Sequence, residues 1–503
     1  MQEIRKLPYY GRSGWRQSAT DRWMEVVDPS TGACIAQAPA ICAAELEDVI
    51  AQAAEAFGPW SRTPALKRTQ VLYRFRTLIL EHMDELARLL ARENGKTLEE
   101  ARGDLLKVKE PLELACGAPS LLMGESLMDT SRGYDTVLYR EPVGVFAGIA
   151  PFNFPAMIPM GWMVPLCIAA GNTIVVKASS TTPMTAMRLL ELLEEAGLPQ
   201  GVVSVITADR GTAQLLLTDS RIKGVCFVGT TGAGLKIYAA AAANGKRVQA
   251  LCEAKNHALV MDDAVLERTA KGIINSAFGC AGERCMALPV VVAQEGIADR
   301  LVERLRVLAE RLKVGCAYDE SAQMGPVVTK KHMESVLRWI ETGVQEGAKL
   351  VLDGRDIRVP GFENGFYIGP TIFDRVTEEM TVGQQEIFGP VLCIKRVKTF
   401  EEGVALINRN PYANGAVIYT QSGYYARHFA RQIDGGMVGV NVGIPVPVGL
   451  FPFSGHKQSF FGDLHTLGKD GLRFFTETKV VTSTWFDEAS NHEKVNTWDG
   501  AIG

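Results

Sequence analysis

The chain is expected to be an α/β protein built on a doubly wound parallel sheet, and three observations predict it. Strand-like and helix-like segments alternate from Asn172 to Leu251, a glycine-rich turn separates a strand from a helix at Phe227 to Gly234, and a second alternating region starts near Leu266. Strands joined by helices of this length form parallel sheets covered on both faces, and such sheets bind nucleotides at the carboxyl ends of their strands. At 503 residues the chain is too long for one ordinary core, so two or three domains are expected.

The elements follow in order. From about Ile41 to Leu122, apolar residues recur at three- and four-residue spacing, as in Leu72, Phe75, Leu78, Ile79 and Met83, which indicates a layer of amphipathic helices. Gly124 to Arg140 reads as a projecting hairpin around Ser131-Arg132-Gly133, or as an ordinary surface loop. The uncharged stretch between Glu141 and Lys177 is interrupted by Pro151, Pro155, Pro159 and Pro165, so it reads as a buried strand, loop and helix and not a membrane span. Asn172–Lys177 is a strand, and Thr182-Pro183 opens a helix with a capping hydroxyl. Strands are read at 202–206, 224–228 and 247–251, with helices at 212–217 and 231–243 between them. The second region gives a helix at 266–278, a strand at 288–292 and a helix at 297–312. A terminal strand at Lys479–Trp485, followed by a polar tail, has no sheet of its own and invites pairing with another subunit.

Composition narrows the function classes. A formal charge of −4 with no Lys/Arg block offers no broad attraction for nucleic acid or anionic membrane, which leaves small metabolites as the expected partners. Ten cysteines without a repeating spacing or a CxxC pair suggest neither a disulfide framework nor a zinc site, and no metal is expected. Met1 to Tyr10 carries no apolar or Arg/Ser-rich presequence pattern, so the expected location is cytoplasmic.

The chemistry centres on Cys285, in Phe278-Gly-Cys-Ala-Gly-Glu-Arg-Cys285-Met-Ala287. A thiolate is the attacking species; the adjacent Arg284 is a cation able to lower the thiol pKa, while Gly279, Ala281 and Gly282 leave room for a flat substrate or cofactor. A buried structural cysteine is the alternative reading. Gly229, Thr230 and Gly234 lie where free backbone N–H groups and the helix dipole favour a phosphate, although the spacing departs from the usual dinucleotide fingerprint and a structural turn stays open.

With Pro151-Phe152-Asn153-Phe154-Pro155, the strand ending at Lys177, Glu386-Ile-Phe388-Gly-Pro390 and Cys285, the chain resembles the aldehyde dehydrogenase superfamily along essentially its whole length. Ala254-Lys255-Asn256-His257, Gly282–Ala287, Gly117–Gly124 and Gly439-Val-Asn441-Val with Pro445-Val-Pro447 are similar to the CoA-acylating methylmalonate-semialdehyde dehydrogenases. The resemblance implies an aldehyde dehydrogenase-like fold. A Rossmann-type cofactor domain (1–123 and 143–252) would be joined to an α/β catalytic domain (253–455), with a small β oligomerisation arm and tail (124–142 and 456–503), in a homotetramer. It also implies NAD as cofactor, coenzyme A as cosubstrate, and Cys285 and Asn153 as catalytic residues, with the Asn153 amide and the Cys285 N–H as oxyanion donors. Asn153 as a turn former is the competing reading.

By the same resemblance Lys177 would hold the adenine-ribose hydroxyls and Glu386 the nicotinamide-ribose hydroxyls. Phe152 and Phe388 would pack near the cofactor, and Ala150, Ser180, Thr181 and Cys252 would complete the binding surface. Lys177 as a solvated charge and Phe388 as core are the bland alternatives. Lys177-Ala-Ser-Ser180 lacks the carboxylate that would repel a 2′-phosphate, so relaxed discrimination between NAD and NADP is expected. Leu251 aligns with the glutamate that hydrolytic relatives use to activate water, and leucine accepts no proton, so a thiolate such as coenzyme A is the expected acyl acceptor. Glu253, where this subfamily usually has glycine, is a candidate substitute base. That leaves a hydrolytic dehydrogenase of another small anionic semialdehyde as the runner-up, and a catalytically idle protein on the same scaffold as the third reading. Arg284 and Lys107 would hold the substrate carboxylate; Lys107 stands where the family has arginine, keeping the charge and losing the bidentate fork. Lys107 as a solvated helix charge, Glu283 as a structural acid and His257 as a hydrogen-bonded core residue complete the reading.

Overall fold

The glycine-rich turn and the long apolar runs resolve into two parallel sheets in a computed structural model that describes residues 4–11, 14–131 and 133–485. The first sheet runs Phe460–Gly462, Arg247–Leu251, Ile222–Val228, Val145–Ile149, Thr173–Lys177, Val203–Ile206. All neighbours are parallel except the short Phe460–Gly462 strand, which pairs antiparallel with Arg247–Leu251. Strand order therefore reverses between Val145–Ile149 and Ile222–Val228, and the loops that leave these two strands open a crevice at their carboxyl ends. The core strands are β-branched and apolar on both faces because helices cover both sides: Val175 and Val176 are each fully buried.

The second sheet has seven strands in the order Lys349–Leu352, Thr371–Asp374, Val391–Val397, Val290–Gln294, His257–Val260, Gly415–Tyr419, Met437–Val440, antiparallel only at its first pair. It has its own core, which includes Leu259, Val291, Ile394 and Ile418. Helices Ala43–Arg62, Ala65–Glu81, Met83–Asn94 and Leu98–Cys116 supply the expected helical layer. The uncharged stretch folds as the strand Val145–Ile149, a π-helical turn at Met157–Met163 and the helix Val164–Ala169, all buried apart from the strand's last residue.

Four sequence readings are corrected. The helix at Met184–Glu195 is not capped by Thr182, whose Oγ1 donates instead to Phe152 O (3.0 Å); the Glu93 carboxylate caps it from a distant helix, accepting from Met184 N (2.7 Å) and Thr185 N (2.8 Å). Residues 212–217 form no single helix but two short turns, Arg210–Ala213 and Leu215–Thr218. The terminal strand has a sheet in its own chain: Thr476–Thr484 pairs antiparallel with Tyr134–Pro142, which pairs with Glu125–Ser131. Finally, the stretch from 456 does not belong to the arm throughout. His456–Lys457 pairs with Tyr412–Ala413 and Phe460–Gly462 extends the first sheet, because Phe460 and Phe461 find apolar neighbours there. Arg132 and the residues from 486, which the sequence gives as a polar tail, lie outside the described residues.

Candidate active site

Cys285 follows the helix Leu266–Phe278 through a tight left-handed turn in which Cys280 (φ 50°), Ala281 (φ 50°) and Gly282 (φ 76°) all have positive φ. The glycines here do not make room for a ligand, as the sequence suggested. A Cβ on Gly279 would lie 2.3 Å from Arg284 Nη1, and one on Gly282 would lie 2.2 Å from Gly389 O, so the glycines admit a guanidinium and a neighbouring backbone. Asn256 then fixes the nucleophile's own backbone: its Nδ2 donates to Cys285 O (2.9 Å) and Ala287 O (2.8 Å), and its Oδ1 accepts from Gly415 N (2.9 Å). The Asn153 side chain is buried and donates to Glu283 O (3.0 Å). An amide has a second N–H, which is the donor an oxyanion near Cys285 would take.

Cys285 borders two spaces. One is a cavity of about 730 Å³ whose lining includes Lys107, Phe154, Trp162, Arg284 and Phe453. The other is a narrow crevice that includes Ala254, Asn256, Glu386 and Phe388. Both predicted carboxylate-binding cations therefore line one cavity with the thiol, but neither is unpaired. Lys107 Nζ lies 2.8 Å from Glu110 Oε1. Arg284 donates through Nε to Cys280 Sγ (3.1 Å), and its Nη2 lies 3.5 Å from Glu100 Oε1.

This geometry corrects the electrostatic reading of the nucleophile. Burial pushes the Cys285 thiol up to about 12, and the Glu386 carboxylate adds to the rise. The opposing influences include its own and the Met286 backbone N–H and the charge of Lys96; Arg284 is charge-coupled to the sulfur more weakly, with its Nε turned onto Cys280. Lys96 is itself buried, paired with Asp104 Oδ2 at 2.8 Å, with Nζ 3.5 Å above the Phe154 ring. Glu386 accepts from Ala254 N (3.0 Å), and burial pushes its carboxyl up to about 8. In the free protein the sulfur is thus a protonated thiol beside a carboxyl that titrates near neutrality.

The residues proposed for a cofactor gather at the switch point. Ala150 N donates to Lys177 O (3.0 Å), and Phe152 O receives Thr182 Oγ1 and Asn94 Nδ2 (2.9 Å). Ser180 and Thr181 lie in the loop after the Lys177 strand. Burial lowers the Lys177 pKa, and its Nζ lies 3.4 Å from Ala178 O. Gly229 N donates to Leu251 O (3.0 Å), and Thr230 begins the helix Thr231–Ala243. Gly234 is packed so closely on Cys252 that a Cβ would lie 2.3 Å from its Sγ. Helix N-terminal amides beside a strand-order reversal fit a dinucleotide diphosphate, and the fit is a matter of backbone position. Leu251 is buried and presents no polar group, while the Glu253 carboxylate accepts from Thr231 N (2.8 Å). Among the described residues no cluster of three or more His, Cys, Asp or Glu side chains could hold a metal ion.

One residue the sequence did not single out packs among the residues around the nucleophile. His332 Nε2 donates to Phe388 O (2.7 Å) and lies 3.5 Å from Glu283 Oε1. Its ring lies 6.2 Å from Phe152 and 6.4 Å from Phe388, which meet edge to face at 5.9 Å. Glu283 also accepts from Val328 N (3.2 Å), and burial raises its pKa. His257 is a core residue, with Nδ1 2.7 Å from Lys255 O and its pKa pushed down to about 3 by burial. No local pattern announces His332, and the motif that contains Asn256 does not disclose its role, because their partners lie far away in the chain.

The pattern of the aldehyde dehydrogenase family matches residues 15–481. A malonate-semialdehyde dehydrogenase of Geobacillus kaustophilus is 48% identical over 483 residues, 96% of this chain and 99% of that protein. One of Listeria monocytogenes is 45% identical over 485 residues, 96% and 99% of the two chains. Among solved structures, the methylmalonate-semialdehyde dehydrogenase DddC of Oceanimonas doudoroffii superposes with a TM-score of 0.95 at 43% identity, covering 97% of this chain and 99% of that one. A Sinorhizobium meliloti protein assigned to the same activity and complexed with NAD gives a TM-score of 0.95 at 41% identity, with the same coverage.

Proposed function

Because the chain belongs to the aldehyde dehydrogenase family, we propose that it oxidises malonate or methylmalonate semialdehyde, with NAD as hydride acceptor and coenzyme A as acyl acceptor. The observation that carries this reading is Cys285 standing between a wide cavity whose lining includes Arg284 and Lys107 and a narrow crevice with Glu386 and Phe388. The cavity gives an aldehyde access to the sulfur, and the crevice residues Glu386 and Phe388 mark the side from which the dinucleotide would come.

Cys285 gives up its proton to water, its thiolate attacks the aldehyde carbon, and the resulting oxyanion is received by the Asn153 amide and the Cys285 N–H. Loss of one such donor typically costs about 3 kcal/mol of barrier stabilisation. The bound dinucleotide supplies a hydride acceptor. Transfer leaves an acyl thioester on Cys285, with Arg284 and Lys107 holding the substrate carboxylate. The buried Leu251 offers no base for water, so the thioester waits for a thiolate. Coenzyme A takes the acyl group and frees the Cys285 thiolate. The β-carboxylate then leaves as carbon dioxide, its electron pair passing into the thioester carbonyl and the α-carbon taking a proton. The balance is semialdehyde plus CoA plus NAD giving acetyl- or propionyl-CoA, carbon dioxide and NADH.

The loop after Lys177 has no acidic side chain through Thr182, which supports use of NADP beside NAD. We assign 1–123 with 143–252 to the cofactor domain and 253–455 to the catalytic domain. The exposed apolar side chains of the arm, including Leu127, Met128 and Val480, support a homotetramer. No described helix is long and apolar enough to cross a membrane. The test is a semialdehyde assay with and without CoA. NADH formation is expected to stop at about one equivalent per active subunit without CoA and to resume when it is added. Sustained full-rate turnover in its absence would establish the hydrolytic reading instead.

A further inference from the structure

Glu253 stands at the start of a thirteen-residue helix whose free amide end faces the strand-order reversal. Its Oε2 accepts from Thr231 N at 2.8 Å, and its own N–H donates back to Thr231 Oγ1 at 3.3 Å. Thr230, the residue in the capping position, makes no side-chain cap of its own, so a carboxylate from the neighbouring strand end does that work. The backbone around Glu253 is held: Ser459 Oγ donates to Glu253 O at 2.7 Å, and Thr231 Oγ1 donates to Gln458 O at 3.3 Å. A second carboxylate is close by, with Glu386 Oε1 on the next amide, that of Ala254.

A dinucleotide diphosphate seeks the same helix end for the same electrostatic reason as this carboxylate does. Two anions cannot share one N–H donor, and a diphosphate arriving with Glu253 in place meets like charge in a partly buried site. We propose that Glu253 is a displaceable anionic cap that competes with the cofactor diphosphate for the helix amide, and so sets how weakly the dinucleotide is held and how fast it leaves. The proposal rests on the dinucleotide reading of this site and makes Glu253 a determinant of cofactor affinity, not a base for water. Displacing the cap removes one charge-assisted hydrogen bond in the free protein, and that loss opposes binding.

The test compares NADH binding, by fluorescence titration and stopped-flow displacement, in the wild type, Glu253→Gln and Glu253→Gly. Both variants are expected to melt lower without cofactor, yet to bind NADH more tightly, by on the order of tenfold for the glycine variant, with slower release. The glutamine variant keeps the side-chain shape without the charge and is expected to fall between. Unchanged or weaker NADH binding in folded variants overturns the proposal. So does loss of CoA-independent turnover with unchanged NADH binding, since that behaviour marks a water-activating base. If the wild type binds no nicotinamide dinucleotide at all, it is the proposed function that fails.

Discussion

At the scale of single residues, the state of Cys285 decides how the site works. Burial first, and the Glu386 carboxylate second, hold the thiol at about 12, so the free protein keeps the proton that catalysis must remove. Below its pKa, the thiolate fraction of such a group rises about tenfold per pH unit. Alkylation of the cofactor-free protein by iodoacetamide is therefore expected to climb through about pH 9 without a plateau, which a rate-versus-pH profile checks; a plateau below that point would show a thiol already activated. Glu386→Gln removes the repelling carboxylate and is expected to move the profile to lower pH. Arg284, adjacent in sequence, looked like the activating cation, yet its guanidinium is turned onto Cys280 and Glu100. Sequence adjacency fixes the position of a side chain's Cα and leaves its direction open.

At the scale of elements, the left-handed turn before Cys285 is the part of the site most sensitive to substitution. Gly282 combines a φ of 76° with a Cβ direction that runs into the Gly389 backbone, so an added methyl meets strain and overlap together. Gly282→Ala is expected to destabilise the protein by at least about 2 kcal/mol and to displace Cys285 from Asn256, lowering kcat more than KM rises. Melting temperature and steady-state kinetics check it, and wild-type values in both would refute the account. The same turn shows what a sequence discloses. The strand ends that carry Lys177, Leu251 and the glycine-rich turn are legible because β-branched runs and flanking glycines encode them locally. The Glu93 cap, the Asn256 clamp and the His332 bridge are not, because each depends on residues brought together only by folding. Glu93 and the helix it caps are about ninety residues apart in the chain, so the local sequence points to the hydroxyl of Thr182 instead.

At the scale of the whole molecule, placing a reaction centre between two sheets buries ionisable groups, and stability records it. Burial pushes Glu93 up to about 7 and Glu386 up to about 8, and raises Glu283 well above its ordinary 4.5. In the unfolded chain all three would be deprotonated above about pH 5.5. Stability changes with pH in proportion to the protons bound unfolded minus those bound folded. For these glutamates that difference is negative, so each lowers stability as pH rises from its unfolded towards its folded pKa. The buried His257 and His332 act oppositely: their pKa values are lowered, so the unfolded chain binds their protons first and stability rises with pH, but only up to their ordinary 6.5. Above that point the histidine contribution is exhausted, and what still opposes the glutamates is the set of lysines whose pKa values burial lowers, Lys177, Lys246, Lys255 and Lys395, which act towards their ordinary 10.5. The melting temperature is therefore expected to fall between about pH 6.5 and 8, and calorimetric scans across that interval read it. Glu386→Gln, which carries no proton to lose, is expected to flatten the fall. A wild-type curve that stays level or rises there, or a variant that follows the wild type, would mean these carboxyls are already ionised in the folded protein and that the crevice beside Cys285 is wetter than its packing implies.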